Sequence, residues 1–352
     1  MTFTLMSVFS VVVMSDSAAI DVQGANPAQW SDHPGLRHAF SQGRMTLGVI
    51  TPLEGFTGPV PTLADHVPLI QQAERAGFAS VWVRDVPLLD PSFGDTGQVF
   101  DTWTYLGYLA ATTERISLGT SSVVLPLRHP LDTAKAAASL DHLSGGRLLL
   151  GVATGDRPVE FPAYGIHYDS RGERFREALS YLRAVTEHRF PAVSSPLGVM
   201  NGTDLLPKPT HGRLPVFMTG RGRQEVEWIS ENTDGWLFYT LPLEQQALNV
   251  KRWRRLTRRD EGTFKPFAQA TYLDLAENPA AAPQPIHQGI SIGREPLLEL
   301  LDAWHSIGID QLMINFKQSR RPVGEVIDEL AQYVLPHFPP GERAADSATD
   351  AA

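Results

Sequence analysis

The sequence predicts a single (β/α)8 barrel with insertions at its C-terminal face, and three observations support this prediction. Eight short apolar runs alternate with eight amphipathic helix patterns along one chain of 352 residues. Most of these runs are continuous in Val, Ile and Leu, as expected for strands that are buried on both faces of a parallel sheet. Successive strand-helix units with right-handed crossovers close naturally into a barrel, so few other topologies compete.

The predicted elements follow one repeating pattern, in which a helix leads into a buried strand that ends in polar residues. The strands comprise residues 47–53, 80–83, 116–125, 148–154, 215–219, 235–240, 267–275 and 311–316. The helices comprise residues 64–76, 103–113, 131–143, 174–188, 224–231, 244–258, 295–306 and 323–338, each with three-to-four periodicity. Gly77, Gly145 with Gly146, and Gly308 stand where helices need a left-handed C-cap.

Two stretches interrupt this regular spacing. Residues 156–214 hold one predicted helix and a long connection rich in Pro, Gly and Asn, and residues 278–293 form a second irregular insert. Barrels carry such inserts over the C-terminal face, so both are candidate substrate covers, with solvated surface loops as the alternative. At the ends, residues 1–29 are predicted to be a disordered extension and residues 339–352 a disordered tail, which leaves residues 30–338 as the barrel domain.

Composition excludes several classes of function. The formal net charge of −9 disfavours nucleic acid and anionic membranes as partners, and the absence of cysteine excludes disulfides, thiolate metal sites and a cysteine nucleophile. The apolar run at residues 5–14 is too short to span a bilayer and has no Lys or Arg before it, so we do not interpret it as a signal peptide. These features are typical of a cytoplasmic protein without a membrane association.

In a barrel of this kind the active site is built from residues at the C-terminal ends of the strands. Here these are Thr51, Glu54, Arg84, Asp85, Ser121, Ser122, Thr154, Gly155, Asp156, Arg157, the run 219–223, Tyr239, Thr240, Asp274, Asn315 and Lys317. The histidines of the chain are scattered and mostly lie away from the strand ends, so the sequence predicts no metal site.

The most specific local feature of this rim is Thr219-Gly220-Arg221-Gly222-Arg223, between a predicted strand and a predicted helix. Two glycines allow backbone N–H groups to approach an anion, the helix N-terminus adds partial positive charge, and two guanidinium groups can bind phosphate oxygens. The pattern therefore indicates a phosphate site, and a glycine-rich turn with solvated arginines is the alternative.

Two pairs of opposite charge also stand at strand ends. In Arg84-Asp85 the carboxylate could orient the guanidinium toward a ligand carbonyl or carboxylate, and Asp156-Arg157 offers the same arrangement after the fourth strand. Each pair could equally be a structural ion pair at the barrel rim. Arg84, Asp85 and Asp156 are accordingly the candidate catalytic residues.

Three motifs resemble the bacterial luciferase-like flavin monooxygenases. They are GTSSVVLPLRHP at residues 119–130, LDHLSGGRL at residues 140–148, and LGVATG at residues 150–155. The segments VRDVP at residues 83–87, DPSFGD at residues 90–95 and GDRPVEFP at residues 155–162 resemble a subgroup of luciferase-type oxidoreductases. The resemblance covers roughly residues 30–338 and implies a (β/α)8 barrel that binds reduced FMN, or in one branch the deazaflavin F420, at its C-terminal mouth.

The resemblance also implies roles for individual positions. In related proteins a non-prolyl cis peptide bond ends the third strand and supports the flavin ring, and the matching bond here is Ser121-Ser122. The position of a phosphate-binding arginine in luciferase is Thr154 in this chain, so Arg221 and Arg223 are expected to supply that charge. Where luciferases carry a catalytic histidine this chain has Arg84, which cannot accept a proton but can bind an anion. Light emission with a long-chain aldehyde is therefore not expected.

Together these features suggest a monooxygenase that uses reduced FMN, supplied by a separate reductase, on a small organic substrate. Its cofactor-binding residues would be Thr51, Ser121, Ser122, Thr154, Gly155, Thr219, Gly220, Arg221, Gly222 and Arg223. The alternatives are F420-dependent hydride transfer, a flavin-free hydrolase or lyase that works through paired carboxylates such as Asp85 and Asp156, and a flavin-binding protein without turnover. A homodimer is common in the family and is expected here.

Overall fold

The computed structural model describes residues 32–93, 97, 99–258 and 264–341. Its strands are β1 (Thr46–Ile50), β2 (Ser80–Val83), β3 (Ser117–Thr120), β4 (Val123–Val124), β5 (Leu148–Ala153), β6 (Val193–Ser195), β7 (Gly198–Met200), β8 (Val216–Thr219), β9 (Gly235–Tyr239), β10 (Phe267–Leu275), β11 (Gln284–Ile286), β12 (Gly289–Ile292) and β13 (Gln311–Asn315). Its helices are α1 (Pro34–Ala39), α2 (His66–Ala76), α3 (Thr102–Thr112), α4 (Pro130–Leu143), α5 (Glu160–Ala163), α6 (Arg171–Glu187), α7 (Val226–Asn232), α8 (Leu243–Thr257), α9 (Arg294–Ser306) and α10 (Val323–Tyr333).

The predicted (β/α)8 barrel is confirmed. Eight parallel strands follow one another in the order β1, β2, β3, β5, β8, β9, β10, β13, and the pairing of β13 with β1 closes the ring. Each of the eight predicted strands overlaps one of these barrel strands, and seven of them contain it whole; β1 begins one residue before its predicted run. The glycines expected to end helices all have positive φ, with values of 99° at Gly77 and 95° at Gly308.

The barrel interior is filled by side chains rather than open. Trp82 of β2 lies edge-on to Phe217 of β8, with ring centroids 6.1 Å apart, and both side chains are fully buried. Phe40, just after α1, stacks on Phe217 from the N-terminal end of the barrel at 5.3 Å. Gly119 on β3 leaves the space that the Trp82 ring occupies, since a Cβ there would overlap the indole. The interior below the strand ends is therefore closed by packed side chains.

The first insert divides into two parts with different positions. Its beginning, with α5 and a single 3-10 turn at Tyr168–Ser170, lies at the C-terminal mouth. Its second part, with the β6–β7 hairpin, packs against α4 on the outside, where His129 Nε2 lies 2.9 Å from the carbonyl oxygen of Leu197. Only the first part is therefore placed where a substrate cover would lie, and for that part the interpretation stays a prediction.

The second insert forms the antiparallel hairpin β11–β12, and β12 pairs in parallel with the C-terminal half of β10. Asp274 of β10 holds this hairpin at the mouth, because its carboxylate accepts hydrogen bonds from Ser291 Oγ at 2.7 Å and from Arg320 Nε at 2.8 Å. The hairpin therefore extends one wall of the barrel beyond the strand ends.

The predicted extension at residues 1–29 lies outside the described residues, and so does most of the predicted tail. The described beginning of that tail packs on the fold: the Gly341 N–H donates to the His38 carbonyl oxygen at 2.9 Å. Near the beginning of the described chain, just before α1, His33 is fully buried beside the equally buried Asp141. His33 Nε2 lies 3.4 Å from Asp141 Oδ1. These contacts join the α1 segment to the bottom of the barrel.

Candidate active site at the mouth of the barrel

A cavity of about 310 Å³ opens where β2, β3, β5, β8 and β9 end, and we call it the mouth cavity. Nearly all of the predicted site residues line it: Arg84, Asp85, Ser121, Ser122, Thr154, Gly155, Asp156, Thr219, Gly220, Arg221, Gly222 and Arg223. The structure thus brings together residues that are up to 139 positions apart, counting from Arg84 to Arg223 (223 − 84 = 139). A volume of this size is at the lower end of the range for small-molecule sites.

Thr51 is the predicted cofactor-binding residue that does not line the mouth cavity. Its side chain is fully buried, and its hydroxyl donates to the Trp82 carbonyl oxygen at 3.3 Å. Ile50, the residue before Thr51, pairs with Trp82 of β2 and faces the barrel interior. Glu54 is likewise occupied, because its carboxylate accepts the N–H groups of Thr62 at 2.7 Å and Leu63 at 2.9 Å.

The Ser121-Ser122 peptide bond is cis, as the resemblance implied. The segment is tied to its neighbours on both sides: the Ser121 N–H donates to the Val83 carbonyl oxygen at 2.7 Å, and the Ser122 hydroxyl contacts the Thr219 hydroxyl. Since Ser121, Ser122 and Thr219 all line the mouth cavity, this segment forms a fixed part of its wall.

Asp85 does not orient Arg84, contrary to one reading of the sequence. The Asp85 carboxylate is paired with Arg128, whose Nε donates to Oδ2 at 3.0 Å and whose Nη2 bonds Oδ1. Asp85 also accepts the Val124 N–H at 3.0 Å and the Thr102 hydroxyl at 3.2 Å. Successive side chains of an extended segment point to opposite sides, so Arg84 and Asp85 meet different neighbours. Asp85 is therefore a structural anchor of the segment after β3.

The glycine-arginine loop after β8 has the conformation expected of an anion cradle. Gly220, Gly222 and Arg223 all have positive φ, at 61°, 49° and 56°. The positive φ at Gly222 favours glycine, and a Cβ there would also displace the Met218 methyl group. Among the described residues, the backbone N–H groups of positions 221–223 have no protein acceptor, and the Arg221 and Arg223 side chains are exposed. Donors and positive charge thus face the cavity together.

The sequence predicted that the N-terminus of the following helix would add positive charge to this loop, and that prediction is wrong. Helix α7 begins at Val226, two residues later than predicted, and has only seven residues. Glu225 is at its N-cap and Glu227 is in its first turn, so carboxylates already occupy the positive end of the helix. An anion at this loop would therefore have to be held by the N–H groups and guanidinium groups of the loop itself.

Arg171 is a third arginine of this cradle, which the sequence analysis missed. It begins α6 and lines the mouth cavity, and its guanidinium lies 3.4 Å from the centroid of the Tyr168 ring. Its Nη1 donates to the Tyr168 carbonyl oxygen at 2.8 Å, whereas its buried Nε has no hydrogen-bond partner among the described residues. Gln224 connects the two elements, because its Nε2 donates to the carbonyl oxygens of Gly172 and Gly222. Only the long insert between β5 and β8 brings Arg171 to this place.

The second predicted pair, Asp156 with Arg157, is also rearranged. Asp156 is exposed at the cavity, while the buried Arg157 lies over the Phe93 ring at 4.4 Å and has its Nη1 3.9 Å from Glu160 Oε1. Burial raises the pKa of Glu160 to about 7, and the nearby Arg157 offsets only part of this effect. Because α5 begins at position 160, a helical turn rather than a strand end presents this carboxyl to the cavity.

The remaining rim residues support the mouth at its edges. Asn315 of β13 accepts the Lys317 N–H at 2.9 Å, and the Lys317 ammonium lies 4.8 Å from the centroid of the Phe56 ring. The Thr240 hydroxyl accepts from Gln269 Nε2 at 3.1 Å. Tyr239 lines the cavity with about half of its surface exposed, and burial together with Asp156 raises its phenol pKa.

Two concavities larger than the mouth cavity, of about 720 and 410 Å³, lie beside α8, away from the C-terminal strand ends. In the described part of the chain, no three His, Asp or Glu side chains come together in a way that could hold a metal ion. No helix among the described residues has the length and apolar character needed to cross a membrane.

The family model described as luciferase-like monooxygenase matches residues 40–321. The chain therefore belongs to the luciferase-like monooxygenase family, which confirms the resemblance seen in the sequence motifs. Proteins that resemble this chain carry names of more than one kind, as two relatives and two solved structures show.

Two relatives illustrate this range. The chain is 30% identical over 235 residues to a protein of Mycobacterium tuberculosis named "Putative coenzyme F420-dependent oxidoreductase Rv3520c", which covers 63% of this chain and 62% of that protein. It is 30% identical over 167 residues to the 5,10-methylenetetrahydromethanopterin reductase of Archaeoglobus fulgidus, which covers 47% and 46%. The chain thus spans less than two thirds of the length of either relative.

Solved structures share the fold at low sequence identity. An F420-dependent secondary alcohol dehydrogenase in complex with an F420-acetone adduct aligns with a TM-score of 0.69 at 17% identity, over 84% of this chain and 99% of that one. The EDTA monooxygenase from Chelativorans sp. BNC1 aligns with a TM-score of 0.69 at 15% identity, over 83% and 93%. Both similarities support the barrel architecture.

Proposed function

We propose that this protein is an oxidoreductase that binds a phosphorylated flavin-type cofactor across the mouth cavity, with reduced FMN and oxygen as its leading pair of reactants. The observation that carries the proposal is the cradle of Arg171, Arg221 and Arg223 at one end of a cavity whose wall contains Ser121 and Ser122. Family membership, which joins monooxygenases and F420-dependent enzymes, supports the same class of chemistry.

The residues present fit such a cofactor. The three guanidinium groups and the N–H groups of positions 221–223 would hold the phosphate, since charge-assisted hydrogen bonds to arginine suit phosphate oxygens. The wall formed by Ser121 and Ser122 would lie against the ring, with Thr154 and Gly155 beside the chain that joins ring and phosphate. The bound cofactor would supply the electron transfer or oxygen activation that protein side chains do not provide.

The protein's own groups would then orient reactants and manage protons. Arg84 cannot accept a proton, but its guanidinium can stabilise negative charge that develops on an oxygen atom nearby. Asp156 presents an exposed carboxylate at the same cavity, and Glu160 presents a carboxyl whose pKa of about 7 suits proton exchange near neutrality. Asp85 would act indirectly, by holding the wall segment through Arg128 and Val124.

A second candidate is F420 in place of FMN, with hydride transfer and no oxygen. F420 carries an acidic tail, and three arginines at the cradle provide more positive charge than one phosphate requires. The names of one relative and one structure with the same fold also mention F420. By contrast, a flavin-free hydrolase that pairs Asp85 with Asp156 is disfavoured, because Arg128 already holds Asp85.

Anaerobic titration of the purified protein with reduced FMN and, separately, with reduced F420 would test the proposal. We expect saturable binding of FMN, followed by oxygen uptake when air is admitted, and this uptake should continue only while a flavin reductase regenerates the cofactor. Tighter binding of F420 without oxygen uptake would select the second candidate. If neither cofactor binds at micromolar concentration, the proposed class of chemistry is wrong.

A further inference from the structure

A second, smaller cavity adjoins the mouth cavity, and we call it the bore cavity. It has a volume of about 160 Å³ and lies over the barrel interior between β1, β9, β10 and β13. The two cavities share Arg84, Ser121, Thr219 and Tyr239, so these four residues form the boundary between them. The bore cavity is therefore open to whatever occupies the mouth.

The floor of the bore cavity is apolar. Ile50, Leu237 and Met313 line it, and each belongs to the buried core inside the barrel, with 4%, 1% and 1% of its surface exposed. Ala270 of β10 adds a small side chain to the wall. A cavity of about 150 Å³ with apolar walls is large enough to hold a benzene molecule, so this one suits a group of about six or seven non-hydrogen atoms.

Several polar side chains line this cavity, among them Arg84, Gln288 and Asn315, but the described residues that line it include no carboxylate. Asn315 lines it with Oδ1 already bonded to the Lys317 N–H, which leaves the Nδ2 amide as its donor. Arg84 adds donors at the boundary. Because a charged group that lay against the apolar floor would lose its hydration there, this floor favours an uncharged part of a ligand. The amide and guanidinium donors favour an oxygen atom that accepts hydrogen bonds.

The second insert forms the outer side of the bore cavity. Gln288 stands in the turn between β11 and β12 with a φ of 52°, and it lines the cavity together with Tyr272. The Gln288 carbonyl oxygen accepts the Tyr272 N–H at 3.2 Å, which holds this turn against β10. The hairpin therefore limits the size of an occupant from the solvent side.

We propose that the bore cavity is the substrate site and that it takes a compact, uncharged carbonyl or hydroxyl compound of about six or seven non-hydrogen atoms. The hydrocarbon part would pack on Ile50, Leu237 and Met313, and the oxygen would accept hydrogen bonds from Asn315 and Arg84. The inference rests on the proposed function, because the cofactor is assigned to the mouth cavity.

The test compares two alanines that line different cavities. Ala270 lines only the bore cavity and Ala153, at the end of β5, lines only the mouth cavity. Cyclohexanone is the probe, and its binding to the FMN-loaded protein is measured by calorimetry, with 2-decalone as an oversized analogue. Ala270→Leu should weaken cyclohexanone binding about tenfold or more and leave the FMN affinity unchanged. Ala153→Leu should lower the FMN affinity and leave cyclohexanone binding unchanged.

Several results would overturn the inference. The inference is wrong if the wild-type protein does not bind cyclohexanone or if it binds 2-decalone equally well. It is also wrong if Ala270→Leu binds cyclohexanone as the wild type does. A loss of FMN affinity in Ala270→Leu would place the flavin ring in the bore cavity and would likewise overturn it. Ala270→Val serves the same test if the leucine variant does not fold. If neither FMN nor F420 binds the wild-type protein, the proposed function is rejected. In that case the same cyclohexanone titration is made without cofactor, and it decides whether the bore cavity binds the probe.

Discussion

Arg128 bonds Asp85 with two nitrogen atoms, although the two residues are 43 positions apart in the chain. The Asp85 side chain is 3% exposed and that of Arg128 is 23% exposed, so water screens this ion pair only weakly. Because Asp85 also accepts the Val124 N–H, the pair joins the end of β2 to the segment that carries Ser121 and Ser122. The shape of the mouth cavity depends on this connection.

Asp85→Asn should therefore destabilise the fold and disturb cofactor binding. Removing one partner of a buried ion pair costs about 3 to 5 kcal/mol, because the other charge stays buried without compensation. Urea denaturation at pH 7 measures the free energy of unfolding, and Asp302→Asn on the exposed surface of α9 is the matched control. A loss as small as that of the control would contradict the anchoring role.

Replacement of Arg221 and Arg223 together by alanine should weaken FMN binding. Hydrogen bonds to charged groups contribute about 1.5 to 3 kcal/mol each, so the loss of two should lower the affinity about a hundredfold or more. Arg171→Ala should act in the same direction. Arg176→Ala, on the exposed side of the same helix α6, is the control, and equilibrium titration followed by flavin fluorescence gives the affinities. Unchanged affinity in the double variant would remove the phosphate assignment.

Glu160→Gln should change how stability depends on pH. Burial raises the pKa of Glu160 to about 7, so the folded state favours the protonated carboxyl. Its contribution to stability is complete below the pKa of the unfolded chain, about 4.3, and is lost as pH rises through about 7. Between pH 5 and pH 8 the wild-type protein should therefore lose stability relative to the glutamine variant.

This comparison is made by urea denaturation at several pH values, with Glu299→Gln on the exposed surface of α9 as the control. A difference between wild type and Glu160→Gln that stays constant from pH 5 to pH 8 would contradict the assignment.

Asp141→Asn should show the opposite dependence at acidic pH. Burial opposes ionisation of Asp141, but the adjacent His33 and the hydrogen bonds from Thr210, at 2.8 and 2.6 Å, outweigh it and lower the pKa of the carboxyl. Its stabilising contribution is present above about pH 3.9, the pKa of an unfolded aspartate, and is lost as pH falls further. The variant should thus be less stable than wild type at pH 7, and the gap should narrow below about pH 4. Thermal unfolding followed by circular dichroism would show a constant gap if Asp141 were not ionised.

The barrel and most of the residues that line the mouth cavity could be predicted because each depends on short stretches of sequence. A buried parallel strand needs a continuous apolar run, and a left-handed turn needs glycine, so the order of elements and the loop at Gly220 and Gly222 are visible locally. The motif at residues 119–130 likewise indicated the cis bond between Ser121 and Ser122, which the structure contains.

The pairing of charges could not be predicted in this way. Adjacent residues of opposite charge suggested that Asp85 pairs with Arg84 and that Asp156 pairs with Arg157. In the structure Asp85 pairs with Arg128 instead. Arg157 lies beside Glu160. Neighbours at a strand end point in different directions, and the side chain that meets each of them comes from another element.

By itself the sequence determined the fold class, the end of the barrel that carries the site and the family to which the chain belongs. Tertiary structure alone decided that Arg171 joins the cradle, that Thr51 is turned away, and that the mouth divides into a cationic and an apolar cavity. The physical reason is distance along the chain: backbone preferences act over a few residues, whereas a cavity is defined by the meeting of side chains from strands and inserts far apart in sequence.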